Sequence, residues 1–151
     1  KYFSTIKNGL EWLLSENDAN KNLFPDGFGM MEIHGLNSEM IDVAAYTQRA
    51  FADASKIAIE LGEEDLANSY QEIAAKLKEK INKEFWSEEF ASFADFIGTD
   101  EQALQLIDDA IIRADTLNKP WAVDELQQTK ESILKSPSKK SKPFVLHHEP
   151  Y

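Results

Sequence analysis

Residues 38–65 read "SEMIDVAAYTQRAFADASKIAIELGEED", and this stretch decides the fold. Met40, Ile41, Val43, Ala44, Phe51, Ala54, Ile57, Ala58 and Ile59 leave almost no fully polar face. A helix of that composition is buried on most sides. Asn37 or Ser38 can cap its start through a short side-chain oxygen, and Glu39 and Asp42 in its first turn suit the positive end of the dipole. Gly62 stops it, because glycine enters left-handed backbone without strain. "EED" then turns the chain into residues 64–83, where Leu66, Tyr70, Ile73, Leu77 and Ile81 form one stripe among Glu, Gln and Lys. This is a surface helix with one face down. So short a turn makes the two helices antiparallel neighbours. An inner apolar helix beside an outer amphipathic one is the unit of layered helical hairpins, in a toroid or in a superhelical array.

Outward from that pair, residues 2–15 repeat Phe3, Ile6, Leu10 and Leu13 at helical spacing, weakened at Gly9 by about 1 kcal/mol relative to Ala. The next stretch, to Asn37, has no clear period. Compact domains keep a loop of ~20 residues when it is functional or disordered. Phe24, Phe28, Met30, Met31, Ile33 and Leu36 argue against disorder, since so much apolar surface wants burial. On the other side, "FWSEEFASFADF" (85–96) mixes aromatics with acids and suits a short irregular hairpin or an extended segment. Thr99 with Gln102 makes a capping box that opens a helix to about Leu117. Pro120 fits the first position of another, 120–134, carrying Trp121, Val123, Leu126 and Ile133. "KSPSKKSKP" (135–143) is a linker by composition. The expected fold is all-α: residues 1–134 a helical-hairpin segment, 135–151 a basic linker and C-terminal tail. Two hairpins cover their inner helices poorly, so the chain is expected to be a piece of something larger or to lean on a partner.

The totals narrow the partners. The 151 residues suffice for one domain with a real core. The formal net charge of −11 repels a phosphate backbone, which argues against nucleic acid and leaves a neutral ligand such as a sugar compatible. No apolar run approaches the ~20 residues of a membrane span, so no membrane partner is expected. With no cysteine there is no disulfide framework or thiol nucleophile, and the compartment stays open. The start at Lys1, without a leader pattern, reads as a mature product or an excised segment.

Carboxylates carry the chemistry. Glycoside hydrolysis uses two carboxyl groups flanking the scissile bond, one protonated and one ionised. Glu32 lies beside Met30, Met31 and Ile33, surroundings that favour a neutral acid. Glu39 and Asp42 stand three apart on one helix face; they can contact a ligand or simply neutralise a helix N-terminus. His34 can bind a ligand hydroxyl, hold a carboxylate, or satisfy a local backbone group. Asn37 can face a ligand or cap. His147, His148 and Glu149 invite a metal reading, but adjacent histidines point apart and no metal or cofactor is expected. Nucleotide-binding glycine motifs and a nucleophile elbow are absent.

The stretch "GLNSEMIDVAAYTQRAFADASKIAIELGEEDLANSYQEIAAKLKEKINKEFWSEEFASFAD" resembles a segment of the six-hairpin (α/α)6 glycosidases, closest to the debranching, amylo-α-1,6-glucosidase-like type. The resemblance covers roughly residues 24–96. It rests on the Gly-rich loop, the Glu39-led helix with Tyr46, "ELG" (60–62), "KEFW" (83–86) and "SFAD" (92–95). It implies a toroidal barrel whose active site is built at one end from loops leading into inner helices. Glu32 would be the general acid, and His34, Asn37, Glu39 and Asp42 sugar contacts. Six hairpins need well over twice this length, the second carboxylate would come from a later hairpin, and the Trp-x-x-Asp acid motif of debranching enzymes is absent in that form. The implied function is therefore that of a fragment of a glycoside hydrolase cleaving α-linked glucans or oligosaccharides, inactive without the remainder of the parent enzyme or an oligomeric partner. The competing reading is a non-catalytic, tetratricopeptide-like helical module that binds a protein partner. No second copy recurs at that family's ~34-residue period. A purely structural scaffold also fits the composition.

Overall fold

A computed structural model describes residues 2–27, 29 and 37–145. Among these, five helices form: α1 (Tyr2–Ser15), α2 (Ile41–Glu60), α3 (Glu64–Glu84), α4 (Asp100–Thr116) and α5 (Pro120–Lys135). Their ends follow from local chemistry. Gly62, at φ +74°, sends its N–H to the Ile59 carbonyl, and the Glu63 N–H reaches Ala58, so the last carbonyls of α2 are satisfied and the chain reverses into α3. Asn118, at φ +53°, ends α4 in the same way, with Lys119 bonding back to Ala114 before Pro120 opens α5. The capping box at Thr99 and Gln102 is present in both directions. Gln102 does a second job, its Nε2 donating to the Asn37 carbonyl at 2.9 Å. Thr99→Ala is expected to lower stability by about 1 kcal/mol, read as a shift of the denaturant midpoint at unchanged slope.

The fold is α+β, which corrects the all-α expectation: packed helix pairs are joined by small antiparallel sheets. β1 (Asp26–Gly27), β2 (Ser38–Met40), β5 (Phe96–Gly98) and β6 (Lys142–Phe144) form one sheet in the order β1-β2-β5-β6. β3 (Trp86–Ser87) pairs with β4 (Ser92–Phe93) as a hairpin, one of the two forms expected there. Strands of two or three residues are too short to show an alternation in sequence. Here they bring together partners from distant parts of the chain, such as Met40 with Phe96.

β2 also moves the start of α2. Residues 38–40 are extended, and Met40 stands before the helix without a side-chain cap, so neither Asn37 nor Ser38 caps it. Glu39 is therefore on a strand and does not share a helix face with Asp42. The physical reason is that these residues satisfy their backbone on two sides, against β1 and β5, while the Ile41 N–H bonds the Asp95 carbonyl at 3.0 Å.

The four-stranded sheet separates two cores. Met40, Phe96 and Phe144 face α4 with Ala103, Leu106 and Ile107, and Ile133 of α5 closes that cluster. Ile41, Ile97 and Val145 lean on the other core, where Leu10, Phe24, Phe51, Tyr70, Leu77 and Phe85 meet. The alternation of Phe96 with Ile97, and of Phe144 with Val145, is the two-residue period of extended chain. Across the α2–α3 pair, Phe51 and Tyr70 meet edge to face at 5.4 Å, and the Ser55 hydroxyl donates to the Ala67 carbonyl at 2.8 Å.

α2 is not buried on most sides. Ala44, Thr47, Phe51, Ala54, Ser55 and Ala58 are covered, but Tyr46 is 62% exposed and Ile57, Ile59 and Leu61 also reach solvent. α1 and α3 cover two flanks and Val43 packs against the core of Met40 and Phe96, while the side carrying Ala45, Tyr46 and Ala50 lies open to solvent. Composition reports how apolar a helix is; the number of neighbours decides what is covered.

The stretch 135–143, a linker by composition, carries part of β6 and is clasped to α4. The Asp100 carboxylate accepts from the Ser138 N–H at 2.5 Å and pairs with the Lys142 ammonium at 2.8 Å. The Lys142 contact, then the Ser138 hydrogen bond, hold its pKa below the ordinary 3.8. The sign follows from the lowered folded value. The clasp's contribution is complete above 3.8 and is lost as pH falls through that lower value. Acidification is expected to loosen β6, and Asp100→Asn to flatten that part of the acid-unfolding curve, followed by amide exchange in 142–144.

Candidate loop and groove at the start of the long helix pair

The segment between α1 and β1, aperiodic in sequence, is held by its own side chains. The Asp18 carboxylate accepts the Asn22 N–H at 3.0 Å and the Leu23 N–H at 2.8 Å. Asn20 Oδ1 accepts the Asn22 N–H, and Asn22 Oδ1 the Phe24 N–H. The Lys21 ammonium caps the end of α1 at the Ser15 carbonyl, 2.9 Å away. Lys21 and Leu23 occupy left-handed backbone at φ +59° and +77°, and these side-chain bonds are what hold them there. Asn17 pairs with the Asp26 backbone in both directions, and the buried Phe24 ring meets Phe85 edge to face at 5.2 Å.

Glu39 faces this loop. Its side of β2 is covered, leaving 7% of the residue exposed, and Oε1 accepts from Asn20 Nδ2 at 2.7 Å and from Asn22 Nδ2 at 2.8 Å. Its cross-strand partner is Asp26, and Glu84 closes α3 nearby, paired with Lys80 at 2.6 Å. Burial pushes the Glu39 carboxyl above the ordinary 4.5; the two asparagine hydrogen bonds pull the other way, and Asp26 and Glu84 add to the rise.

Asp42 stands in the first turn of α2, with Oδ1 on the Val43 N–H at 2.8 Å. Gly29, at φ +66°, lies so close that a Cβ there would sit 2.9 Å from Asp42 Oδ1 and 3.2 Å from Met40 Cγ. Only glycine lets the backbone approach this carboxylate so closely. One turn on, Tyr46 and Asp42 border an open groove of about 310 Å³ with Leu13, Val43, Thr47 and Ala50.

The expected site residues thus separate. Asp42 lines the groove. Glu39 is buried and engaged by the loop. Asn37 is exposed and anchored through its carbonyl to Gln102. Glu32 and His34 lie outside the described residues, as do His147, His148 and Glu149. The sequence reading passed over Asp18, Asn20 and Asn22. Their signal is the alternation D-x-N-x-N, because Asp and Asn side chains bond backbone two or more residues on and fold a turn without glycine. Among the described residues, no three His, Cys, Asp or Glu side chains are grouped to hold a metal ion, and no helix is long and apolar enough to cross a membrane. Comparison with family models, with curated proteins and with solved structures returns no match.

Proposed function

We propose that the chain is a segment of an (α/α)6-type glycoside hydrolase acting on α-linked glucans or oligosaccharides, inactive without the rest of its parent enzyme. The observation that supports this reading is the groove beside α2. Tyr46 offers a flat apolar ring one turn from the Asp42 carboxylate, and α2 leaves that side open among the described residues. A sugar ring presents an apolar face for stacking and hydroxyls for a carboxylate, which is what such a pair can take up. The resemblance of residues 24–96 to debranching-type glycosidases supplies the chemistry. Glu32 would give its proton to the glycosidic oxygen as the C–O bond breaks, and a second carboxylate, from another hairpin, would complete the pair. Asn37 and His34 would contact the sugar, as that resemblance implies, and Glu39 would act by ordering the loop through Asn20 and Asn22.

The test is Glu32→Gln in the parent protein. Turnover is expected to collapse while sugar binding is retained, because the amide keeps the shape and lacks the proton. Unchanged turnover would remove Glu32 as the acid. A parent that binds no carbohydrate, or an isolated chain that hydrolyses maltooligosaccharides at full rate, would overturn the reading. The second reading, a helical module for a protein partner, draws on two successive helix pairs with Ile57, Ile112 and Trp121 exposed. It predicts partner binding that Glu32→Gln leaves intact and no turnover in any form.

A further inference from the structure

We propose that residues 18–24, closed from β2 by Glu39, form a calcium-binding loop. The site goes beyond the carbohydrate reading and stands independently of it.

The pattern D-x-N-x-N at 18–22 puts an oxygen-bearing side chain on every second residue. EF-hand loops draw calcium ligands from positions one, three, five and seven of such a stretch, the seventh through its backbone carbonyl, and turn sharply at position six. With Asp18 first, the others are Asn20, Asn22 and Phe24, and the sixth residue is Leu23. The backbone has the matching shape. Leu23 is left-handed at φ +77°, where glycine is usual, and its side chain packs against the core of Phe24 and Phe85. The Asp18 carboxylate accepts the N–H groups of positions five and six, Asn20 Oδ1 that of position five, and Asn22 Oδ1 that of position seven. These oxygens turn to one short run of backbone, and each keeps a lone pair that its N–H does not use. Calcium takes roughly 6–8 oxygens and can use those lone pairs without breaking the bonds that fold the loop.

Glu39 is a second, independent observation, because it comes from another element. It is 7% exposed, and Oε1 meets both asparagine Nδ2 groups, at 2.7 and 2.8 Å, which sets the carboxylate against two of the ligand positions. Its Oε2 has no hydrogen-bond or ion-pair partner among the described residues. Nor does a described cation offset the charge: Lys80 pairs with Glu84 at 2.6 Å, and Asp26, across the strand pair, adds a like charge. A buried carboxylate with a free oxygen and no counter-ion calls for a cation. In EF-hand loops the closing glutamate stands at position twelve, which here is Gly29; Glu39 takes that place from β2. The other donors, two side-chain amides and a carbonyl, are hard neutral oxygens, which suit calcium and not the metals that favour imidazole or thiolate. With two charged ligands, the affinity falls toward the weak end of such sites, Kd about 10⁻⁴ M.

Calorimetric titration of calcium chloride into the full chain, first stripped with a chelator, tests this. One saturable site is expected, with Tm raised by roughly 5 °C at saturation and amide protection increased at Asn22, Leu23 and Phe24. Magnesium is expected to bind at least ~10-fold more weakly, since it gives up its waters reluctantly. Glu39→Gln is expected to weaken calcium at least ~10-fold. Asn22→Asp adds a charged ligand at position five and is expected to tighten binding several-fold, a gain that misfolding cannot produce. Glu125→Gln, exposed on α5, controls for the diffuse pull of a chain of net charge −11 and is expected to change nothing. Binding that never saturates, binding that Asn22→Asp leaves unchanged, or a loss in Glu125→Gln equal to that in Glu39→Gln would overturn the site.

Discussion

Phe96→Ala is expected to destabilise the protein by about 3–5 kcal/mol, the range for deleting a fully buried phenylalanine side chain. Phe96 has no exposed surface. Its ring stacks on Phe144 at 5.2 Å and packs in the cluster that holds Met40, Ala103 and Ile107. Gly98 is shaped to it, since a Cβ there would lie 2.8 Å from the Phe96 ring. The cavity would thus open where β5 joins α4, β2 and β6 at once. With total stabilities of about 5–15 kcal/mol in domains of this kind, the loss is a large share of the whole. Chemical denaturation should show a much lower midpoint. Amide exchange should rise in β6 and α4 before α3, because the α2–α3 core has its own aromatic contacts. Phe93→Ala is the control: that ring is 43% exposed and meets Trp86 edge to face at 5.3 Å. A loss below 1 kcal/mol for Phe96→Ala would mean the sheet does not couple the two cores.

The helices were legible because each carries many repeats of one period and punctuated ends. α1 matches its expected span of 2–15, and Gly62, the Thr99–Gln102 box and Pro120 mark the boundaries they should. The sheet was not legible, because a strand such as Lys142–Phe144 holds one and a half repeats and is defined by its partner. That omission propagated. Without β5 as a visible partner, Ser38–Met40 reads as the first turn of a helix, and Glu39 is assigned to the wrong face. The site divides along the same line. Asp42 was expected as a ligand contact and borders the groove, whereas Tyr46, which borders it too, entered the sequence reading only as a residue that carries the resemblance. The environment of Glu39 depends on Asn20 and Asn22, which sequence spacing alone does not bring to it. The open side of α2 was hidden for another reason: alanines at 45 and 50 look like core yet lie exposed, since nothing described packs there.

Asp18→Ala is expected to cost about 2–3 kcal/mol, the upper range for hydrogen bonds to a charged group in buried surroundings. Asp18 is 2% exposed, and each carboxylate oxygen accepts one backbone N–H, from Asn22 and from Leu23. Alanine would leave the Leu23 N–H without this acceptor and the Asn22 N–H with Asn20 Oδ1 alone, at 3.1 Å, in a stretch where two residues already occupy left-handed backbone. The loop then has less to gain from staying folded than from rehydrating its amides. Opening should expose the bond after Lys21, so trypsin is expected to nick the variant there while sparing the lysines of α3. Asp18→Asn separates charge from shape. It keeps one acceptor, turns an NH₂ toward the other N–H, and should fall between the parent chain and Asp18→Ala. Equal stability of all three forms, with no cleavage after Lys21, would show that the loop is ordered by Phe24 and Asn17 at its ends and owes nothing to the carboxylate at its centre.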